Sequence, residues 1–113
     1  MMEDFWAAVD DLVARSPVVV DRPRGSRHPR YGESTYPLDY GYLEGTTAAD
    51  SSGIDVWRGT LPEGRATGAI LTIDGLKRDA EVKLLLGCTP AEAEMALAYH
   101  QDGEQAAILV LRD

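Results

Sequence analysis

The sequence predicts a small α+β domain built around a partly closed antiparallel β-barrel. Three observations predict this class: an amphipathic helical pattern begins the chain, β-branched runs fill its middle, and one capped helix precedes a last apolar run. With 113 residues the chain is long enough for one hydrophobic core and too short for two. We therefore expect a single domain over 1–113, with an N-terminal helix over 1–16 and the barrel over 17–113.

The first predicted element is a helix over 3–15. Its apolar side chains share one face, and its charged side chains lie away from that face. The apolar face consists of Phe5, Trp6, Val9, Leu12 and Val13. Ser16 and Pro17 end the helix, because proline does not continue it. The face predicts a helix that covers either the sheet or a partner subunit, so a homo-oligomer is one expectation.

Several apolar or β-branched runs predict strands. These runs are 17–21, 40–42, 54–57, 66–74, 82–88 and 106–111. Between the last two, Thr89 and Glu92 form a capping box, with Pro90 at the first helical position. This pattern predicts a second helix that runs to Gln101 and ends before Gly103.

Charge and composition exclude several classes of protein. A formal net charge of −8 argues against nucleic acid or an anionic membrane as the main partner, since both need a basic surface. The apolar runs are too short to cross a bilayer, and the N-terminus lacks a basic region before an apolar stretch, so we expect a cytoplasmic protein. The single cysteine, Cys88, follows an apolar run, which favours a buried and unreactive thiol.

The most informative stretch is 36–55, which reads YPLDYGYLEGTTAADSSGID. Asp50 and Asp55 flank its Ser-Ser-Gly turn, where a loop meets the next strand. Two carboxylates at such a point suit a hard divalent cation such as Mg²⁺. The alternative is that each aspartate hydrogen-bonds the backbone of its own turn. Asp74 and Asp79 repeat the spacing across a second turn, which strengthens the metal interpretation because converging acids need a counter-charge.

An arginine-rich loop over 22–31 precedes that stretch. It reads RPRGSRHPRY and holds four arginines of an otherwise acidic chain. The planar guanidinium group binds phosphate oxygens in a bidentate manner, so the loop is a candidate phosphate contact. The alternative is a solvated loop whose arginines offset nearby acids.

YPLDYGY followed by two aspartates five apart resembles the soluble inorganic pyrophosphatases of family I. Their signature is a Tyr-Pro-x-x-Tyr-Gly element followed by Asp-Gly-Asp-Pro-x-Asp. The resemblance covers roughly 18–110, and it implies a barrel core and Mg²⁺-dependent hydrolysis of pyrophosphate or a related small phosphate compound, with Mn²⁺ as the alternative metal. The metal ligands that it implies are Asp50, Asp55, Asp74 and Asp79.

The same resemblance implies the residues that would bind and turn over the substrate. Tyr40 and Tyr99 would be hydroxyl donors at the phosphate site. Arg30 and His100 would take the places of phosphate-binding lysines. Turnover would depend on Asp55 and Tyr40.

The chain also departs from the pyrophosphatase pattern. Ser52 stands where the family has its middle acid, and a serine cannot take a proton from water as a carboxylate does. Loss of a general base typically lowers a rate by about 10²–10⁴-fold. Glu81 stands where the family has a lysine, and Lys83 lies two residues further on the same strand face.

Three hypotheses follow from the match and its departures. The first is a divergent Mg²⁺-dependent pyrophosphatase-like hydrolase. The second is a pseudoenzyme that keeps the fold and binds metal or phosphate ligands without turnover. The third is an assembly module that uses the N-terminal helix, with Phe5 and Trp6, as its interface.

Overall fold

A computed structural model describes residues 2–49 and 51–113. Asp50 therefore lies outside the described residues. The elements are α1 (Met2–Arg15), β1 (Val18–Arg22), β2 (Asp39–Leu43), β3 (Ile54–Arg58), β4 (Ala66–Asp74), β5 (Asp79–Leu86), α2 (Pro90–Tyr99) and β6 (Gln105–Leu111). The strand predicted over 82–88 begins earlier, at Asp79, because the β4–β5 hairpin pairs without interruption down to its turn. No helix of the described chain is long and apolar enough to cross a lipid bilayer.

The strands form one mixed sheet in the order β1-β2-β3-β5-β4-β6. The α+β class is confirmed, although the sheet differs from the predicted antiparallel barrel in two respects. β3 and β5 are parallel, with Val56 opposite Leu84. This parallel pair arises because β4 follows β3 along the chain but lies on the far side of β5, to which it is antiparallel. Within the described residues β1 and β6 do not pair with each other, so the sheet is open.

α1 covers one face of the sheet. Trp6 and Val9 are buried there against a cluster that includes Leu43 and Leu84. Phe5 of the same stripe is 51% exposed in the single chain, so the sheet does not cover it, and a contact with a partner subunit stays a prediction. Phe5 lies over an open groove in the sheet that α1 does not fill.

α2 lies at the opposite face, and the structure confirms its capping box. The Thr89 hydroxyl accepts a hydrogen bond from the Glu92 N–H at 3.1 Å, and Glu92 Oε1 accepts one from the Thr89 N–H at 2.9 Å. Glu92 also accepts the Thr60 N–H at 3.2 Å, which ties the start of α2 to the segment after β3. This face of the sheet carries Trp57 and Leu85, both fully buried, and it positions the candidate site.

Candidate functional site

A cleft of about 1050 Å³ opens on the face of the sheet that carries Trp57. Its walls come from the arginine-rich loop, β2, the β4–β5 turn, β5 and the segment after α2. The structure therefore brings together parts of the chain that the sequence placed far apart. The predicted residues that line it are Arg30, Tyr40, Asp74, Tyr99 and His100.

An aromatic cluster forms the inner wall of the cleft. Tyr36 stacks on Tyr40 and on Tyr99, with ring centroids 5.6 and 5.1 Å apart. Tyr40 and Tyr99 each meet the edge of Trp57, at 4.6 and 5.3 Å. Burial raises the pKa of the Tyr40 and Tyr99 hydroxyls above the ordinary value of 10, so both rings are neutral near pH 7. The two predicted tyrosines thus share one wall, with neutral hydroxyls.

Lys83 forms the charged centre of the site. Its Nζ lies 2.7 Å from Asp55 Oδ2 and 2.6 Å from Glu81 Oε1, and its side chain is 7% exposed. Nζ also lies 5.9 Å from the centroid of the Tyr40 ring. Burial lowers the pKa of Lys83, but the ion pairs with Asp55 and Glu81 oppose it, and the pKa lies above its ordinary value. The ammonium is therefore charged near pH 7.

The backbone explains why these three charges meet. Side chains two residues apart on a strand share a face, so Glu81 and Lys83 point the same way from β5. β3 lies beside β5, and the pairing of Val56 with Leu84 places Asp55 next to Lys83. The sequence indicates the shared face of Glu81 and Lys83. It does not indicate the neighbour on β3, because a parallel pair between separated strands leaves no local pattern.

The β4–β5 turn holds the second predicted pair of metal ligands. Asp74 Oδ1 accepts hydrogen bonds from the backbone N–H groups of Leu76 and Lys77, at 3.0 and 2.9 Å. Asp74 thus caps its own turn, which is the alternative that its sequence context left open. Asp79 lies opposite Asp74 in the backbone register of the β4–β5 hairpin, and it is exposed.

The residues present do not fit a metal site of the kind that the resemblance implies. In the part of the chain that the structure describes, no group of three or more His, Cys, Asp or Glu side chains is placed to hold an ion. The Asp55 carboxylate is already paired with an ammonium. Ser52 offers only a hydroxyl at the turn, and Asp50 lies outside the described residues. Binding of Mg²⁺ or Mn²⁺ by the four aspartates stays a prediction, and this donor set argues against it.

His100 is buried and neutral rather than cationic. The Trp57 indole N–H donates to His100 Nε2 at 3.0 Å, so the ring proton is on Nδ1, 2.9 Å from the Gln105 side-chain oxygen. Burial is the main cause that lowers the pKa of His100 to about 4. The ring therefore does not offer the positive charge that the resemblance implies at this position. It joins the end of α2 to β3 and β6 instead.

The exposed cations of the cleft lie at its rim. Arg30 stands near the tip of the arginine-rich loop, where His28 Nδ1 accepts hydrogen bonds from the backbone N–H groups of Arg30 and Tyr31, at 3.0 and 3.2 Å. Lys77, on the β4–β5 turn, also lines the cleft. The sequence indicated Arg30 but gave no signal for Lys77, since its position depends on how the hairpin packs. A phosphate contact by Arg30 stays a prediction.

Solved structures of inorganic pyrophosphatases have the same fold. The enzyme from Coxiella burnetii superposes with a TM-score of 0.60 at 15% identity, over 85% of this chain and 84% of that one. The Helicobacter pylori inorganic pyrophosphatase gives a TM-score of 0.60 at 12% identity, over 83% of this chain and 81% of that one. A protein described as an inorganic phosphatase from Anaplasma phagocytophilum gives 0.57 at 13% identity, over 83% and 81%.

At these identities the likeness shows the fold alone. No protein-family model and no curated protein matches the sequence. The chain thus has a pyrophosphatase-like fold, and the chemistry of its cleft has to be argued from its own residues.

Proposed function

We propose that this protein uses its pyrophosphatase-like fold to bind a small phosphate-bearing ligand in the cleft, without metal-dependent turnover. The observation that carries the proposal is the ion pair between Asp55 and Lys83, 2.7 Å apart. Metal-dependent hydrolysis needs carboxylates that hold the ion and make a hydroxide from its bound water. Here Asp55, the carboxylate to which the resemblance gives that task, is paired with a buried ammonium.

The cleft has the donors that a phosphate group needs. Tyr40 and Tyr99 are neutral, so both hydroxyls keep their protons, for which a phosphate oxygen would compete with Asp55 and Tyr36. Arg30 lies at the mouth, and a guanidinium binds phosphate oxygens with two parallel hydrogen bonds. Lys77 adds a second exposed cation. These groups are typical of anion binding and need no metal.

Charge balance favours a ligand of low charge. The charged side chains that line the described cleft are the acids Asp74, Glu81, Asp102 and Glu104 and the cations Arg30, Lys77 and Lys83. The acids outnumber the cations, so the cleft offers no positive excess to a highly charged anion such as pyrophosphate. Orthophosphate or a phosphomonoester therefore fits the site better.

Binding and turnover are separated by running two assays on one preparation. Calorimetry in EDTA measures the binding of orthophosphate, phenyl phosphate and pyrophosphate. A second assay measures phosphate release from pyrophosphate with Mg²⁺ or Mn²⁺, beside an Asp55→Asn variant. Arg30→Ala should weaken phosphate binding by about tenfold, since it removes a charge-assisted contact. Arg15→Ala is the matched control, because Arg15 lies on α1 and pairs with Asp11 there.

The proposal predicts binding in EDTA that depends on Arg30 and not on Arg15, with no phosphate release above the Asp55→Asn background. Metal-stimulated release that Asp55→Asn abolishes would favour the hydrolase hypothesis instead. Absence of binding by all three phosphate compounds would also overturn the proposal.

A further inference from the structure

The centre of the cleft holds a cation that belongs to the chain itself. We infer that the Lys83 ammonium takes the place of a divalent metal ion, and that its removal uncovers a latent metal site between Asp55 and Glu81. The inference rests on the proposed function in one respect, since both place Lys83 rather than a metal beside Asp55. Lys83 is then the single residue that prevents metal binding between these two carboxylates.

The geometry shows two carboxylates converging on one point. Asp55 comes from β3 and Glu81 from β5, and one oxygen of each lies within 2.7 Å of Lys83 Nζ. Each carboxylate side chain is 26% exposed, whereas the lysine between them is 7% exposed. This arrangement differs from a surface group of acids, because a cation already occupies the point on which the carboxylates converge.

Charge explains what removal of the ammonium would do. Two partly buried carboxylates this close repel each other when no cation lies between them. One ammonium leaves the group of Asp55, Glu81 and Lys83 with one net negative charge, whereas a divalent ion would balance both carboxylates. Mg²⁺ and Mn²⁺ accept a few carboxylates and complete their shells with water. Shortening or neutralising the lysine gives water access to the position of Nζ.

Lys83→Met is the direct test, because methionine keeps an unbranched apolar stem and removes the charge. Lys77→Met is the matched control, since Lys77 is the other lysine of the chain and lies at the rim of the cleft. The probe is Mn²⁺ alone, with no phosphate compound present. Its binding is followed by the loss of the free-ion signal in electron paramagnetic resonance and by the shift of the thermal unfolding midpoint.

Lys83→Met should bind Mn²⁺ at least about tenfold more tightly than the wild-type protein. The substitution removes the ammonium that repels Mn²⁺ and leaves both carboxylates without a cation. Mn²⁺ should raise its unfolding midpoint and leave those of the wild type and Lys77→Met unchanged. Adding Asp55→Asn to Lys83→Met should cancel the gain, because a single carboxylate remains.

Two results would overturn the inference. The first is a folded Lys83→Met protein that binds Mn²⁺ no more tightly than the wild type. The second is wild-type binding of Mn²⁺ that Asp55→Asn abolishes. If Lys83→Met does not fold in metal-free buffer, refolding with Mn²⁺ decides: recovery of the native circular dichroism supports the inference and failure to recover rejects it. Because no phosphate ligand takes part, this outcome is independent of whether the cleft binds phosphate.

Discussion

Acidification from about pH 7.5 to about pH 5 should destabilise the protein through one side chain, His100. His100 is 6% exposed, and its ring accepts the Trp57 N–H at Nε2. Protonation at Nε2 would remove that acceptor and place a charge in the aromatic core. The folded state therefore resists the proton, which is why the pKa of His100 falls to about 4.

The size of the effect follows from the pKa of the ring in the two states, 6.5 in the unfolded chain and about 4 in the folded protein. Because the unfolded chain binds the proton more readily, the stabilisation is complete above the unfolded pKa and is lost as the pH falls toward the folded one. The full loss is about 3 kcal/mol, and about 2 kcal/mol is already lost near pH 5. Between pH 7.5 and pH 5 most carboxylates stay ionised, so their titration contributes little to the loss of stability in this range.

Urea unfolding at the two pH values measures this loss, with His100→Gln as the comparison. Glutamine can still accept the Trp57 N–H but does not titrate. On acidification to about pH 5 the free energy of unfolding of the variant should therefore fall by about 2 kcal/mol less than that of the wild type. An NMR titration of the ring should show no protonation of folded His100 until the pH approaches 4. Equal losses in both proteins, or a ring that titrates near its ordinary pKa, would refute the assignment of a buried neutral His100.

Two further predictions concern the framework of the site. Gly41→Ala should destabilise the protein by at least about 4 kcal/mol, seen as loss of folded protein on expression, since an added Cβ would lie 1.8 Å from the Val19 carbonyl oxygen; Gly32→Ala, with open space around it, should be tolerated. Cys88 should resist alkylation in the native state and react after denaturation, because burial raises the pKa of its thiol to about 12; rapid native labelling would contradict the buried thiol.

Local patterns were enough to predict most of the elements. The capping box of Thr89 and Glu92 fixes the start of α2 through hydrogen bonds within four residues, so the sequence alone identifies it. The apolar stripe of α1 likewise predicts a helix, and Trp6 and Val9 are buried as that stripe requires. Phe5 belongs to the same stripe but is 51% exposed, because whether the sheet extends beneath the first turn depends on packing and not on the period of the helix.

The charges of the site depend on contacts between distant parts of the chain. The neutral state of His100 follows from Trp57 and Gln105, and the pairing of Lys83 with Asp55 follows from the parallel alignment of β3 and β5. Neither contact has a counterpart in spacing along the chain. A motif therefore predicted which residue types gather in the cleft, but not their protonation or their partners.

The residues that carry the resemblance to pyrophosphatases have a structural role of their own. Tyr36 is 6% exposed and packs on Tyr40 and Trp57, so these two tyrosines of YPLDYGY are needed for the core whether or not the protein is an enzyme. The charged residues are not constrained in this way, because a metal ion and an ammonium can each balance Asp55. A match in the tyrosines is thus support for the fold, whereas the identity of the cation beside Asp55 decides the chemistry. For that reason Lys83, which lies outside the motif, is the residue whose replacement tells most about what the cleft does.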